Sequence, residues 1–300
     1  MKILIVGDVH FRTTQPISRL GNISEDFENK FLQIREIIVA KSVDYVIVTG
    51  DIFHRAKTNN EALLLAKKCF EQLEIPIYSV IGNHDMIGNT ITEHRNSSFE
   101  LLDLLVDNFS ILGDRIIGKD GENVNVIGNN YGVNDFTLGL KKYDNFINIG
   151  VFHSMITEGP TMFDSINAHE INTEYDIVIS GHNHNKVFVN YDNKIVYNPG
   201  ALMRLTAVKE DRERQVSVGL LTVLDNKYSI DEILLKITPE EDVFDIKEDN
   251  KKQEILTEKI VSILNDHIGK IQSVDDIINT IATSEKISSN IVALAKSYIV

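Results

Sequence analysis

Two hydrophobic periods alternate through the first eighty or so residues of the chain. Continuous apolar runs, rich in β-branched residues, predict buried strands at residues 2–6, 44–49 and 76–81. Between them, apolar residues recur every three to four positions at residues 25–41 and 60–73, which predicts two helices. Strands and helices that alternate in this way pair in parallel through right-handed crossovers. The pattern therefore predicts an α/β domain.

The middle of the chain is richer in strands. Tight turns such as Asp192-Asn193 indicate antiparallel additions to the first sheet, or a second sheet. We predict a two-sheet β-sandwich flanked by helices, which occupies residues 1–238. Further strands are predicted around residues 108–112, 123–131, 146–152, 176–180, 186–190, 194–197, 214–224 and 227–235.

The pattern changes again at about Pro239. The acidic stretch Glu240-Glu241-Asp242 is followed by three segments with apolar residues at helical spacing, and no strand signal remains. We predict that residues 239–300 form a small helical module beside the α/β domain. The apolar faces of its helices suit either docking of a partner protein or packing on the α/β domain itself.

Composition limits the class of protein. The 300 residues are 43% hydrophobic and 25% charged, which provides for a sizeable core and a solvated surface. The single cysteine, Cys69, excludes a disulfide framework and a thiolate zinc site, and we expect it to be buried in a helix. No apolar run is long enough to span a bilayer, and the first run is too short for a signal peptide. We therefore predict a cytoplasmic protein.

Net charge bears on the choice of ligand. The chain carries a net charge of −14, so it has no general electrostatic attraction to nucleic acid. A nucleic-acid substrate would need local basic residues, bound metal ions or a partner protein to supply that attraction.

Polar clusters stand where five of the predicted strands end. The carboxyl ends of strands in open α/β sheets face one crevice, so we expect these clusters to meet. Six of the nine histidines lie in these clusters, a concentration that isolated turns and helix caps explain poorly. The glycines that open the clusters suggest sharp turns of the backbone. The clusters are Gly7-Asp8-Val9-His10, Gly50-Asp51-Ile52-Phe53-His54, Gly82-Asn83-His84-Asp85, His153 and Gly181-His182-Asn183-His184.

These residue types suit a pair of divalent metal ions. Two ions about 3.5–4 Å apart are a common device for attack at phosphorus, and a shared carboxylate offsets their mutual repulsion. Asp51 lies in the middle of the set and is the candidate for that carboxylate. Imidazole and carboxylate ligands without thiolate suit Mn²⁺, Fe²⁺, Zn²⁺ or Ni²⁺ better than Ca²⁺. We expect Mn²⁺, with Fe²⁺, Zn²⁺, Ni²⁺ and Mg²⁺ as alternatives.

In order and spacing, the clusters resemble the signature of the calcineurin-like metallophosphoesterases over about residues 1–200. The resemblance implies that His84 is not a ligand but lies over the scissile phosphate, as a proton donor or a stabiliser of charge. It implies that Asp85 orients His84. It also implies that one metal is held by Asp8, His10, Asp51 and His184, and the other by Asp51, Asn83, His153 and His182.

Finer features resemble the SbcD and Mre-eleven type DNA repair nucleases. The Phe53-His54 pair resembles their second motif, in which the histidine that His54 matches helps to position the substrate. The stretch 197–201 resembles a Pro-Gly turn beside their last histidines, although an ordinary turn explains it equally well. Three arginines that could contact DNA phosphates, or simply lie at the surface, follow it: Arg204, Arg212 and Arg214.

The resemblance implies a DNA exo- or endonuclease that acts with an SMC-like coiled-coil ATPase of the SbcC type, docked on the C-terminal helices. It also allows a homodimer. The chain departs from those nucleases in one respect, because only about forty residues separate Gly200 from the helical module, too few for a full DNA-capping domain.

Two other hypotheses stay open. The acidic charge and the reduced capping region favour a phosphodiesterase or phosphatase that acts on small nucleotides or other soluble phosphoesters. A non-catalytic scaffold with the same fold is the third hypothesis, and the complete set of candidate ligands argues against it.

Overall fold

Two six-stranded mixed sheets form the centre of the structure, a computed structural model that describes residues 1–16, 18–87, 96–137, 146–159, 161, 164–191 and 193–245. Helices flank the sheets, so the predicted two-sheet α/β architecture is confirmed. The described strands are β1 (Lys2–Val6), β2 (Tyr45–Val48), β3 (Ile77–Ser79), β4 (Phe109–Ile111), β5 (Asp114–Lys119), β6 (Glu122–Asn129), β7 (Ile147–Ser154), β8 (Ile156–Thr157), β9 (Ile166–Asn167), β10 (Ile177–His182), β11 (Val187–Tyr191), β12 (Lys194–Asn198), β13 (Ser217–Leu224) and β14 (Lys227–Leu234). The described α-helices are α1 (Ile23–Lys41), α2 (Asn60–Glu71), α3 (Ser98–Leu105), α4 (Lys209–Arg212) and α5 (Glu240–Val243).

Each sheet has a parallel centre. The first sheet has the order β14-β13-β1-β2-β3-β4, in which β1 to β4 are parallel and the β13–β14 hairpin is added antiparallel. The second sheet has the order β11-β12-β10-β7-β6-β5, in which four parallel strands lie between antiparallel edges. The parallel strands of each sheet therefore end at one edge, where loops can carry a site.

Strand β1 shows why the central strands are apolar at consecutive positions. Ile3 and Ile5 pack in the layer between the two sheets, whereas Leu4 and Val6 pack in the layer beneath the helices. Both faces of the strand are covered, so alternation with polar residues is lost. Each such side chain stabilises the fold by roughly 1.5–3 kcal/mol relative to leaving it in water.

The first helix also holds the loop after β1. Helix α1 begins at Asn22, whose side-chain oxygen accepts a hydrogen bond from the Ser24 amide. Its buried face carries Phe27 and Phe31, and the ring of Phe11 packs on both at centroid distances of 4.8 and 5.3 Å. Phe11 therefore anchors the polar cluster that directly precedes it.

Several elements were not predicted, for physical reasons. Helix α3 lacks a clean apolar stripe because Leu101, Leu104 and Leu105 are exposed on it. Strand β5 is an edge strand that buries only Ile117, so it has no hydrophobic alternation. Strands β8 and β9 have two residues each, too few for a pattern. By contrast, Cys69 is buried on α2 as predicted, and burial raises the pKa of its thiol to about 12.

Residues 239–245 are the described part of the predicted helical module. Val243 and Phe244 are buried, and the guanidinium groups of Arg19 and Arg204 lie 5.7 and 5.9 Å from the Phe244 ring. The three predicted helices lie outside the described residues, so the module and its boundary stay predictions. None of the helices in the described part of the chain combines the length and the apolarity that crossing a bilayer requires.

Candidate metal centre

Loops and strand ends from both sheets meet at one rim of the sandwich. Asp8 follows β1 and Asp51 follows β2 in the first sheet, while His153 lies on β7 and His182 ends β10 in the second. Asp8, Asp51 and His153 are each 1% exposed or less, so these polar groups are buried where the sheets meet. Buried charges of this kind need partners or a bound ion.

Asp51 lies between the two halves of the cluster. Its Oδ2 is 3.7 Å from His10 Nε2 and 3.4 Å from His153 Nε2. Its other oxygen, Oδ1, accepts a hydrogen bond of 2.9 Å from the His84 amide. One carboxylate therefore faces histidines from both sheets, which is the position a shared ligand needs.

The first half of the cluster joins β1 to the loop after β10. His10 Nε2 and His184 Nε2 lie 3.0 Å apart, and Asp8 Oδ2 is 3.9 Å from His184 Nε2. Ligand atoms of Asp8, His10 and His184 all fall within 4.8 Å of one another. The structure thus brings together the first set of candidate ligands around Asp51.

The second half of the cluster lies on the other side of Asp51. His153 Nε2 is 3.1 Å from Asn83 Oδ1, and the rings of His153 and His182 are 5.1 Å apart at their centroids. Asp51, His153 and His182 again place one ligand atom each within 4.8 Å of the others. The second set of candidate ligands is also brought together.

Burial and charge act differently on the histidines of the site. Burial lowers the pKa of His10 to about 3 and that of His182 to about 4, so both rings are neutral, the form that binds a metal. Burial also disfavours charge on His153, but the carboxylates of Asp51 and Asp8 outweigh it and raise the pKa of His153 to about 10. The paired carboxylates thus attract positive charge, and neutral imidazoles surround them. This donor set fits divalent cations.

The backbone is strained at three of these residues. His10, Asp51 and His182 have φ values of 57°, 47° and 74°, in the left-handed region that residues other than glycine rarely adopt. Each lies where a strand gives way to a loop, and the turn directs its side chain towards the rim. Strain of this kind is typical of functional sites.

The glycines before the clusters serve two purposes. Gly50 has a φ of +101°, so it makes the sharp turn expected from the sequence. Gly82 and Gly181 are needed for a different reason, because a Cβ would lie 2.0 Å from Asp51 Oδ1 at Gly82 and 2.4 Å from Asp8 Oδ1 at Gly181. The sequence predicted a sharp turn at Gly82 and Gly181, but these positions need glycine because neighbouring atoms leave no room for a Cβ.

His84 and His54 form a wall beside the cluster. The His84 ring lies 4.9 Å from that of His10, and the His54 and His84 rings are nearly parallel, at 22° and 5.7 Å. His84 Nδ1 is 2.9 Å from the His54 carbonyl oxygen, so it donates to that oxygen and fixes the ring. Together with His10 these two histidines form a third group with metal-ligand spacing.

Asp85 binds backbone amides of two loops beside the cluster. Its carboxylate accepts hydrogen bonds from the amides of Ile52, Phe53 and Gly82, at 3.2, 3.1 and 3.0 Å. No described hydrogen bond joins it to the His84 side chain, and a role of Asp85 in orienting His84 stays a prediction. Asp85 ties the loop after β3 to the loop after β2, which holds His84 in place through the backbone.

The arginines after the Pro-Gly turn belong to the interior of the fold. Arg204 is 6% exposed and donates to the carbonyl oxygens of Arg212 and Thr238. Arg214 donates to two carbonyl oxygens of its own loop, and Arg212 lies near Glu240. Several of their donors are therefore used within the protein, and contact of these arginines with DNA stays a prediction.

The Pro-Gly turn itself helps to position the site. Gly200 has a φ of +78°, and a Cβ there would lie 2.7 Å from the His184 carbonyl oxygen. The Ala201 amide donates to that oxygen, and the Leu202 amide donates to the Asp8 carbonyl oxygen at 2.8 Å. The turn thus connects the last candidate ligand to the first.

Two residues that belong to the site, Thr49 and Arg12, were not identified from the sequence. Thr49 Oγ1 donates to Asp8 Oδ1 at 3.0 Å, and its carbonyl oxygen is 2.7 Å from His153 Nδ1. The available signal was its position, as a polar residue between an apolar strand and Gly50. Arg12 lines the cavity of about 390 Å³ in front of the histidines, and no spacing pattern marked it.

Comparisons with known proteins agree with this geometry. The calcineurin-like phosphoesterase family matches residues 1–186. The DNA double-strand break repair protein Mre11 of Archaeoglobus fulgidus is 32% identical over 130 residues, which are 41% of this chain and 27% of that protein. The uncharacterized metallophosphoesterase YhaO of Bacillus subtilis is 37% identical over 71 residues, which are 22% of this chain and 17% of that protein.

A solved structure from Staphylococcus aureus, described as a 5′-nucleotidase, has a TM-score of 0.50 and 13% identity, and the match covers 79% of this chain and 54% of that one. This likeness concerns the fold alone. The chain spans 27% or less of the two curated relatives. The family uses divalent metal ions to hydrolyse phosphoesters, and the rim holds two groups of residues with metal-ligand spacing. The chain belongs to the calcineurin-like phosphoesterase family.

Proposed function

We propose that the phosphoester this protein hydrolyses is a phosphodiester of DNA, cleaved by exo- or endonuclease action during repair or recombination. The observation that carries the proposal is the wall formed by His54 and His84, whose rings are nearly parallel beside the candidate ligands. His54 ends the motif that resembles the SbcD and Mre-eleven type nucleases. The similarity to the Mre11 repair protein of Archaeoglobus fulgidus supports the same substrate.

Two divalent ions would be held in the two halves of the cluster, Mn²⁺ by preference, with Fe²⁺, Zn²⁺, Ni²⁺ and Mg²⁺ as alternatives. When bound, they would polarise the phosphoester and supply a nucleophile at neutral pH. The first set of ligands would be Asp8, His10, Asp51 and His184, and the second would be Asp51, Asn83, His153 and His182.

His84 would then act on the phosphoester directly. Its Nδ1 donates to the His54 carbonyl oxygen, so the protonated ring would present Nε2–H to the leaving oxygen or to developing negative charge. His54 would line the entry to the substrate and support the His84 ring by stacking. Asp85 would keep both loops in register through its three amide contacts.

A partner protein would supply the electrostatic attraction to DNA that this acidic chain lacks. We propose that an SMC-like coiled-coil ATPase of the SbcC type docks on the C-terminal helices and offers DNA the positive surface that a chain of charge −14 lacks. A homodimer is a further proposal, which exposed leucines on α2 and α3 support, namely Leu64, Leu101 and Leu104. The cytoplasm is the proposed site of action.

A second candidate function is hydrolysis of small nucleotides or other soluble phosphoesters. The net charge of −14 favours it, because a small ester needs no extended basic surface. The cavity of about 390 Å³ beside the histidines has room for such a ligand.

The two candidates separate in a substrate panel with Mn²⁺. We would compare linear duplex DNA, single-stranded DNA, cyclic nucleotides and p-nitrophenyl phosphoesters, using the wild type and Asp51→Asn. The nuclease proposal expects DNA to be cleaved, and the activity to vanish in the variant. Turnover restricted to small esters would establish the second candidate and end the first.

A further inference from the structure

A second cavity adjoins the metal centre. It encloses about 260 Å³ and is lined by Arg12, Arg55 and Lys57, together with threonine and asparagine side chains; we call it the basic cavity. Arg12 and His54 also line the larger cavity in front of the candidate ligands. The two cavities therefore share a wall, and His54 stands between them.

The cations of the basic cavity have no acidic partner among the described residues. Three of the described residues that line it are positively charged and none of them is acidic, although the chain as a whole carries a charge of −14. Within the described part of the chain, no carboxylate forms an ion pair with Arg12, Arg55 or Lys57. Arg214, which lines the larger cavity, differs from them because it donates to backbone carbonyl oxygens and to Asp211. Unpaired cations around a concave surface attract an anion.

The walls of the basic cavity are fixed by local hydrogen bonds. Arg12 Nε donates to the Thr14 carbonyl oxygen at 2.7 Å, which aims the guanidinium group. Asn59 Nδ2 donates to Thr13 Oγ1 at 2.9 Å, and Asn59 also caps helix α2. The loop after β1 is thereby tied to the loop after β2. The N-terminal end of α2 adds partial positive charge.

We propose that the basic cavity binds a second phosphate of the substrate, next to the phosphate that lies at the metal centre. His54 and Arg12 line both cavities, and the ring of His54 is 6.3 Å from that of His10 at the centroids, so the basic cavity begins next to the candidate ligands and one nucleoside unit would extend from one place into the other. The preferred substrate then carries phosphates at both ends of a nucleoside, as every internal unit of a polynucleotide does. The inference rests on the proposed phosphodiester hydrolysis at the metal centre, and it adds a reason for preferring polynucleotides to isolated esters.

Paired chromogenic esters test the inference. Thymidine 5′-(p-nitrophenyl phosphate) would be compared with the same compound carrying a 3′-phosphate, and thymidine 3′-(p-nitrophenyl phosphate) with its 5′-phosphorylated form. All four are assayed with Mn²⁺ and the full-length protein. We expect kcat/KM to rise about tenfold with the second phosphate in at least one pair, the scale of one charge-assisted hydrogen bond. The pair that shows the rise also identifies the side of the scissile bond on which the basic cavity lies.

Variants connect the preference to the cavity. Arg55→Gln and Lys57→Gln, singly and together, should bring the ratio of kcat/KM within that pair towards one. Both side chains are exposed, so the fold should tolerate the changes, and circular dichroism checks this. The matched control is Arg35→Gln with Lys68→Gln, which removes the same charge from side chains that pair with Glu74 and Glu28 elsewhere on the surface. The control should keep the wild-type ratio.

These assays distinguish failure of the second-phosphate inference from failure of the proposed function. If both members of each pair are hydrolysed equally well by the wild type, the second-phosphate inference is overturned while phosphodiester hydrolysis stands. A preference that persists in Arg55→Gln with Lys57→Gln would also overturn it. If no ester and no DNA is hydrolysed with any divalent metal, the proposed function itself fails.

Discussion

The two sheets contribute different chemistry to the same rim. The first sheet supplies both carboxylates of the candidate ligand set, Asp8 and Asp51, together with the imidazole of His10, from loops that follow parallel strands. The second sheet supplies only imidazoles to that set, among them His153 on β7 and His182 at the end of β10. Neither sheet alone offers a complete set of ligands for two ions. The geometry of the site therefore depends on how the two sheets pack, and a change in that packing should change metal binding.

This division explains why Asp51 has the largest predicted effect. Its Oδ2 lies 3.7 and 3.4 Å from histidines of the two halves of the cluster, His10 and His153. Asp51→Asn would remove the charge between the two halves, so we expect both metals to be lost. Hydrolysis should fall at least about 10⁴-fold, towards the uncatalysed rate.

Metal content by mass spectrometry and hydrolysis of a p-nitrophenyl ester check this prediction together. Asp231→Asn, at an exposed position on β14, is the matched control and should change neither reading. Activity that survives in Asp51→Asn with two metals bound would show that the two halves of the cluster do not share this carboxylate.

His84→Ala sharpens the comparison between residues that bind metal and residues that act on substrate. His84 lies beside the candidate ligands, and its Nδ1 is committed to the His54 carbonyl oxygen. We expect metal content to be retained and kcat to fall about 10²- to 10³-fold, the usual size of a general acid–base contribution. Loss of a metal ion in this variant would instead make His84 a ligand, within the group that it forms with His10 and His54.

The extent to which this site was predictable differs between the two sheets as well. The ligands of the first sheet were predicted readily, because β1 and β2 are short apolar runs that lead into the pairs Gly7-Asp8 and Gly50-Asp51. In the second sheet, β7 and β10 were found as strands, but the antiparallel edge strand β5 was not, since it buries only Ile117. Periodicity detects strands that bury a face and misses edge strands that do not.

The roles of Asp85 and the arginines show what a sequence pattern leaves out. Asp85 is next to His84 in sequence, yet it binds the amides of Ile52 and Phe53, more than thirty positions away. Arg204 follows the polar clusters in sequence but is buried against carbonyl oxygens. Motif order predicts which residues gather at the rim, whereas their hydrogen-bond partners are decided by tertiary packing.

Metal binding should stabilise the region of the rim where the two sheets meet, which we call the seam. Two buried carboxylates lie close together there, and burial together with the charge of Asp51 raises the pKa of Asp8 to about 7 despite the opposing effect of His153. Divalent ions would offset this repulsion. At a free Mn²⁺ concentration a hundred times the dissociation constant, we expect about 2.7 kcal/mol of added stability from one site. The melting temperature should then rise by roughly 5–10 °C.

Differential scanning calorimetry with Mn²⁺ and with a chelator measures this shift. Asp51→Asn supplies the comparison, since it should melt at the same temperature under both conditions. An equal shift in the variant would mean that the ions bind elsewhere on the protein.

Gly181→Ala gives the smallest expected effect and the most direct test of the seam. Gly181 lies on β10 in the second sheet, and an added Cβ would lie 2.4 Å from Asp8 Oδ1 and 2.6 Å from the Thr49 carbonyl oxygen, both in the first sheet. The methyl group would push the sheets apart where the ligands meet. We expect about 1–3 kcal/mol of lost stability, together with weaker metal binding.

Gly113→Ala is the control, because nothing lies within 4 Å of a Cβ at that position. Its free energy of unfolding should stay within about 0.5 kcal/mol of the wild type. If Gly181→Ala lost stability but bound metal as tightly as the wild type, the ligands from the two sheets would be held independently of the seam. The packing of the sheets would then not set the geometry of the site. A joint loss of stability and metal affinity in Gly181→Ala alone is what the division of ligands between the two sheets requires.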